Sequence, residues 1–206
     1  MEKKAKSTEQ EIELAHLISV KQGLDGSEAF WEQKQDSLAA RLKAGERAAA
    51  AELVDIYYKQ IYWFMRRLGH NSDVSEDLTQ ESFLHAWHRI SQLRDGKALN
   101  SWLYRIAANV SKLHWRRNKG REVAGIEGFD EIDSTEADSV KVVYDEQLEQ
   151  LKNALARLPI KLKQAVVLHY MQHLSIAEAA EAAGVRQGTF KSRMSRALKT
   201  LRKQVI

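Results

Sequence analysis

Proline occurs once in this chain of 206 residues, at position 159, and glycine only ten times. Proline removes a backbone hydrogen-bond donor and glycine adds backbone freedom, so a chain poor in both contains few interruptions to long helices. Several long stretches also repeat their apolar residues at helical spacing. We therefore predict an all-α fold.

Several classes of protein are disfavoured by what the sequence lacks. There is no cysteine, and hence no disulfide framework and no thiolate metal site. No apolar run is long enough to span a bilayer, and the charged N-terminus has no apolar core typical of a signal peptide. We expect a cytoplasmic protein without membrane insertion.

Residues 174–201 predict two short helices joined at Gly184, which together form a helix-turn-helix. Ser175 can cap the first helix, and Gly184 can adopt the positive φ that the turn needs. Small alanines around the turn allow the second helix to approach closely. The predicted core face of the second helix comprises Phe190, Met194, Ala197, Leu198, Leu201 and Val205.

The second of these helices is strongly basic. Residues 186–203 contain seven Lys or Arg residues and no acid, which suits binding to phosphates. Arg, Gln and Lys side chains near its start could reach base edges in a major groove. A solvated terminal helix could show the same stripe, but the turn glycine and the small-residue helix before it favour DNA binding.

Two further helices are predicted in the first half of the chain. Residues 37–68 show a sustained apolar stripe that ends at Gly69, a typical C-terminal glycine. Residues 73–90 follow, with Asp73 or Ser75 as N-cap. The predicted core residues of the helix over 73–90 are Phe83, Trp87 and Ile90.

The helix over 73–90 carries a second stripe, which mixes acids, amide and leucine on the face opposite its core. It comprises Asp77, Gln80, Glu81, Leu84 and His88. Such a stripe is either an ordinary solvated surface or a docking surface for a basic or amphipathic helix of another protein, because it offers both ion pairing and an apolar contact.

A loop over 91–100 precedes a third helix with two segregated faces. The predicted buried face comprises Leu99, Trp102, Leu103, Ile106, Val110 and Leu113, and the basic face comprises Arg105, Asn109, Lys112 and Arg116. Basic residues with interleaved aromatic residues suit single-stranded nucleic acid. The helix macrodipole alone accounts for the basic residues at 116–121, but not for Arg105 and Asn109, which lie earlier.

Residues 122–139 contain seven acids and no base, and they show no sustained periodicity. We interpret them as a flexible acidic linker between two small helical domains. The predicted division is an N-terminal extension over 1–35, a helical domain over 36–121, the linker, and a helix-turn-helix domain over 140–206. In the last domain Pro159 ends one helix and can open the next.

Three segments in this order resemble bacterial RNA polymerase sigma factors of the extracytoplasmic-function (ECF) group. They are SEDLTQESFLHAW at 75–87, SWLYRIAANVSKLHWRRN at 101–118 and LSIAEAAEAAGVRQGTFKSRMSRALKTLR at 174–202. The resemblance implies a transcription initiation factor, used in stress responses, with core RNA polymerase, promoter DNA and an anti-sigma factor as partners. It implies neither an enzyme nor a cofactor.

The resemblance also implies a role for each surface. It implies that core polymerase is bound by Asp77, Gln80, Glu81, Leu84 and His88. It places the single strand of the minus-ten element on Arg105, Asn109, Lys112, Trp115, Arg116 and Arg117, with the loop over 92–100 capturing a flipped base. It places the duplex minus-thirty-five element on Arg186, Gln187, Thr189, Lys191, Arg193 and Arg196.

The main alternative is a two-domain helix-turn-helix regulator that acts without a sigma role. The basic stripe at 105–116 argues against it, because a sensor domain needs no such stripe. No phosphate-binding glycine loop or nucleophile motif indicates an enzyme. The histidine pairs at 85 and 88 and at 169 and 173 lack companion ligands, so we expect no metal site.

Overall fold

The computed structural model describes residues 28–118 and 150–205. Within these ranges the chain is helical and contains no strand, which confirms the predicted all-α fold. The predicted acidic linker over 122–139 lies outside the described residues. The helices are α1 (Glu28–Lys43), α2 (Arg47–Leu68), α3 (Ser72–Arg89), α4 (Leu99–Arg117), α5 (through 150–157), α6 (Ile160–Val166), α7 (Ile176–Ala182) and α8 (Gln187–Val205).

The region predicted as one helix over 37–68 consists of two helices, α1 and α2. They are separated by a turn at which Gly45 has a φ of 79°. Helix α1 begins at Glu28 and therefore continues across the predicted boundary at residue 35. Leu38 and Leu42 of α1 are buried in the same core as Ile61 of α2, and this packing explains why α1 belongs to the folded part of the chain.

The connection between α2 and α3 is set by two caps. Gly69 ends α2 as predicted, with a φ of 103° and its N–H donating to the Arg66 carbonyl. The predicted N-cap of α3 at Asp73 or Ser75 is wrong. Asn71 caps this helix, because its side chain accepts from the Val74 N–H at 2.9 Å.

The loop between α3 and α4 contains two short 3₁₀ turns, at Ile90–Gln92 and Gly96–Ala98. Leu93 and Leu99 anchor this loop in the core, while most of its polar side chains remain exposed. The loop is therefore held at two apolar points.

The helix-turn-helix forms as predicted. Ser175 and Glu178 make a capping box at the start of α7, with Ser175 Oγ accepting from the Glu178 N–H. Gly184 has a φ of 64° in the turn before α8. Phe190 is fully buried, so its large ring fills the space that the small alanines of α7 leave.

The predicted helix after Pro159 changes character halfway. Helix α6 ends at Val166, and a π-helical turn continues over Val167–Met171, with the Gln172 N–H donating to the Val167 carbonyl. The turn directs Met171 and Gln172 towards the N-terminal helices. The two groups of helices share one hydrophobic core cluster, in which α7 packs across α4.

Candidate nucleic-acid interface

The basic face of α4 is open to solvent. Arg105, Asn109 and Lys112 lie one turn apart along its outer side, and Arg116 and Arg117 extend the exposed surface to its end. No carboxylate pairs with these cations among the described residues. The helix thus presents uncompensated positive charge over about four turns, as phosphate binding requires.

Trp115 is placed differently from the rest of the predicted single-strand surface. Its ring is tilted against the His70 ring, with centroids 4.9 Å apart, and its indole nitrogen is buried without a hydrogen-bond partner among the described residues. Part of this side chain is therefore used for packing within the protein.

His70 is the centre of this packing and is only 2% exposed. Its Nε2 lies 2.8 Å from the hydroxyl of Ser111 on α4. Burial, together with the nearby His114 and Lys163, lowers the pKa of His70 to about 3. His70 is therefore neutral at physiological pH and links the end of α2 to α4.

The predicted docking stripe lies on the outer face of α3. Asp77, Gln80 and His88 are exposed, and Leu84 is 61% exposed. Glu81 is half-buried, with its Oε1 at 3.4 Å from His85 Nε2. The five residues thus form one accessible surface, with a single acid partly shielded.

Two apolar residues predicted for the core lie at the surface instead. Trp87 of α3 is 37% exposed and Leu113 of α4 is 39% exposed. Both predictions assumed that one side of each helix is buried along its whole length. In the structure α3 and α4 pack on each other, and a shallow groove bounded by Glu81, Leu113 and Arg117 lies between them. The docking stripe therefore borders more apolar surface than the sequence indicated.

The recognition surface of the helix-turn-helix surrounds the start of α8. Arg186, Gln187 and Thr189 are exposed, followed by Lys191 and, a turn later, Arg196. Arg193 is half-buried. The opposite face, with Met194 and Leu198, is buried as predicted. The basic start of the helix thus projects from a fixed core.

The C-terminal helices cover a second side of α4. The sequence analysis did not predict this contact. The Tyr104 hydroxyl donates to Gln172 Oε1 at 2.6 Å, and Arg67 donates to the Met171 carbonyl at 3.2 Å. Ser101 Oγ lies 3.1 Å from Glu181 Oε2. Burial raises the pKa of Tyr104 and lowers the pKa of Arg67, which reflects their removal from solvent.

This covered side had a signal in the sequence. Its small or amphipathic residues recur at intervals of three or four positions, between the apolar face and the basic face. They are Ser101, Tyr104, Ala108 and Ser111, and all are buried. Small residues at this spacing allow another helix to approach closely, which is what α7 does.

Among the described residues, no group of three or more histidines and carboxylates is arranged to hold a metal ion. The described helices also include none with the length and apolar character needed to cross a membrane.

Comparison with known proteins finds two matched regions along the chain. Residues 53–121 match the family profile of sigma-70 region 2, and residues 148–201 match that of sigma-70 region 4. The ECF RNA polymerase sigma factor SigW of Bacillus subtilis is 34% identical over 174 residues, covering 80% of this chain and 93% of the relative. SigM of Mycobacterium tuberculosis is 33% identical over 166 residues, covering 81% and 82%.

Solved structures agree in fold. CnrH, in complex with the cytosolic domain of CnrY, superposes with a TM-score of 0.61 at 21% identity, covering 82% of this chain and 95% of that one. The sigma factor RpoE of Bartonella quintana, in complex with the anti-sigma factor NepR, superposes with a TM-score of 0.55 at 27% identity, covering 75% and 94%. On the two matched regions and the extent of the identity to SigW, this chain belongs to the ECF RNA polymerase sigma factors.

Proposed function

We propose that this sigma factor binds core RNA polymerase through the α3 stripe and reads a promoter in two parts. The basic face of α4 and the loop over 92–100 bind the minus-ten element as a single strand, and the start of α8 reads the minus-thirty-five element as duplex. The observation that supports this best is that α4 leaves its basic residues exposed and without a carboxylate partner in the described part of the chain, while most of its other residues are buried. An exposed cationic helix next to an anchored polar loop suits an unstacked strand.

Strand opening in this proposal needs no covalent chemistry from the sigma factor. The α4 surface and the loop bind the separated nontemplate strand better than the duplex, so their binding energy favours the opened promoter. Polymerase supplies the catalysis. The duplex contacts at α8 position the complex before opening occurs.

Reading both elements requires the two groups of helices to separate. The minus-ten and minus-thirty-five elements are centred about 25 base pairs apart, which is about 85 Å along B-DNA at 3.4 Å per base pair. In the structure the C-terminal helices pack on α4, and Ser101 of α4 and Glu181 of α7 are within hydrogen-bond distance. We call this packing the closed arrangement. We infer that the closed arrangement is the form free of promoter, and that polymerase holds the open one.

We also propose that an anti-sigma protein holds this factor in the cytoplasm until a signal releases it. The support is that RpoE, which shares this fold and 27% of its residues, is found in complex with an anti-sigma factor.

Run-off transcription with bacterial core polymerase on a library of promoters tests the proposed function. We expect promoter-specific initiation that depends on added sigma factor. Duplex binding without initiation from any template would instead support the alternative of a regulator without a sigma role.

The docking stripe is tested by Asp77→Arg, which reverses the charge at an exposed acidic position of that stripe. This variant should lose polymerase binding while its affinity for duplex minus-thirty-five DNA stays unchanged, because Asp77 is exposed on α3 and is not among the residues proposed to contact the duplex. Normal polymerase binding by Asp77→Arg would contradict the assignment of this stripe.

A further inference from the structure

Helix α1 lies outside both family profiles, the first of which starts at residue 53. It nevertheless packs closely on the 3₁₀ turn Gly96–Ala98, inside the loop that we propose captures a flipped base. The contact does not come from apolar burial alone. Three polar side chains on one face of α1 meet the loop, and each meets it differently.

Gln35 supplies a cap that α4 cannot make for itself. The residue at the N-cap position of α4 is Ala98, which has no side-chain acceptor. Gln35 Oε1 accepts instead from the backbone N–H of Asn100, in the first turn of α4, at 3.3 Å. The first amides of a helix have no partner within the helix, so an acceptor from a neighbouring helix restrains the start of α4.

Asp36 fixes the position of the loop backbone by contact. Gly96 is buried against α1, and a Cβ at Gly96 would lie 2.7 Å from the Asp36 Cα and 3.1 Å from the Ala39 Cβ. A glycine is needed here because the two backbones approach too closely for a side chain. The approach leaves the turn no room to move towards α1.

Glu32 adds an ion pair of lesser weight. Its Oε2 lies 3.1 Å from Lys97 Nζ, and both side chains are more than half exposed. An exposed pair of this kind is screened by salt and contributes little. The contacts of Gln35 and Asp36 therefore carry most of the restraint.

The loop faces outward with its polar side chains. Gln92, Arg94, Asp95 and Lys97 are exposed, whereas the backbone between them is held by Leu93, Gly96 and Leu99. A base can be captured at lower entropic cost by a loop whose backbone is already ordered. Restraint of the loop by α1 thus favours base capture.

We propose that Gln35 and Asp36 of α1 are positioning residues for the base-capturing loop, so that promoter opening depends on α1 as well as on the loop itself. This inference rests on the proposed function of the loop over 92–100. The inference adds α1, which precedes the first matched family region, to the parts of the protein that contribute to promoter recognition.

The anchoring contact is tested first in the full-length protein, by amide hydrogen exchange. Gln35→Met removes the acceptor at nearly constant length, and Gln35→Glu keeps it. Loss of one hydrogen bond of ordinary net strength should speed exchange of the Asn100 amide about fivefold in Gln35→Met. Gln35→Glu should exchange like the wild type. Unchanged exchange in Gln35→Met would overturn the anchoring role, and this measurement needs no promoter.

The functional consequence is tested with holoenzyme on single-stranded nontemplate oligonucleotides, taken from a promoter that the library experiment identifies. Gln35→Met should weaken binding about fivefold, and Gln35→Glu should restore it. A series of oligonucleotides with one abasic site at each minus-ten position then locates the captured base. At that position the wild type and Gln35→Met should bind equally, because there is no base left to capture.

Two results would overturn the proposal. The first is an equal loss for Gln35→Met on every oligonucleotide, including all abasic ones, which would indicate a general structural defect. The second is no loss on any of them. A wild-type protein that initiates at no promoter would refute the proposed function itself, and with it the role of the loop, while the exchange result would still describe the contact.

Gly96→Ala provides a second variant that leaves Gln35 intact. Its Cβ would displace the turn from the α1 backbone, so it should show the same dependence on the abasic position. Binding of Gly96→Ala equal to that of the wild type on the intact oligonucleotide would contradict the need for close approach.

Discussion

The hydroxyl of Tyr104 donates a hydrogen bond of 2.6 Å to Gln172 Oε1 and thereby joins the middle of α4 to the end of the π-helical turn. Tyr104 is fully buried, and its ring packs edge-on against Phe64 of α2. One residue on the helix proposed to bind single-stranded DNA thus also holds the C-terminal helices. The same helix cannot use that side for DNA while the contact lasts.

Holding the closed arrangement should block transcription. The chain has no cysteine, so Ser101→Cys with Glu181→Cys can be linked by a short bis-methanethiosulfonate reagent that reducing agent removes. We expect linked protein to lose run-off transcription and reduced protein to recover it. The matched control is Arg41→Cys with Glu52→Cys, a pair in contact within the N-terminal helices. Full activity of the linked Ser101 and Glu181 pair would show that the two groups of helices need not separate.

Tyr104→Phe should destabilise the closed arrangement. The substitution keeps the ring but removes the hydroxyl that donates to the side-chain oxygen Oε1 of Gln172. Leaving a buried acceptor without its donor lowers the free energy of unfolding by about 1–3 kcal/mol. Urea unfolding of the full chain measures the loss. Tyr62→Phe is the control, because its hydroxyl contacts Ser72 at an exposed site where water can replace the bond. Equal small effects of both substitutions would contradict a stabilising role for the bond between Tyr104 and Gln172.

Acid should weaken the protein through His70. The folded protein takes up a proton at His70 only near pH 3, whereas the unfolded chain does so near its ordinary pKa of about 6.5. Between these values the unfolded state binds more protons, so stability falls as the pH falls. From pH 7.5 to pH 5.5 the loss from this group should be about 1.4 kcal/mol.

The measurement for His70 compares urea unfolding of the wild type and His70→Gln at both pH values. Glutamine can keep a hydrogen bond to Ser111 but does not titrate. The variant should therefore show a smaller loss between the two pH values, whatever its stability at neutral pH. An equal loss in both proteins would mean that His70 is not held neutral by its surroundings.

The exposed apolar residues of α3 should contribute to polymerase binding rather than to stability. Leu84→Ser and Trp87→Ser should each weaken binding of core polymerase by about 1–2 kcal/mol, as for well-placed apolar contacts at an interface. Thermal unfolding should change little for Leu84→Ser, whose side chain is 61% exposed, and more for Trp87→Ser, whose ring is 37% exposed. Val54→Ser, at an exposed position of α2, is the control and should bind polymerase normally. Polymerase binding by Trp87→Ser equal to that of Val54→Ser would show that Trp87 does not extend the docking stripe.

Much of the local structure could be predicted from the sequence because it depends on neighbouring residues. The turn at Gly184, the cap at Ser175 and the end of α2 at Gly69 all formed as predicted. Each depends on a residue type whose backbone or side-chain preference acts within one helical turn. The segregation of apolar and basic residues on α8 was likewise readable, because a helix places them at fixed angles.

An all-α chain with a helix-turn-helix and two basic helices therefore follows from local sequence patterns. Which sides of those helices are covered follows from the packing of the whole fold, since burial depends on partners distant in the chain. Tyr104 meets Gln172, Gln35 caps α4, and Trp87 reaches solvent for this reason. Helical periodicity predicts a single buried face for each helix. Helix α4 has two buried faces, because the N-terminal helices pack against one and the C-terminal helices against the other.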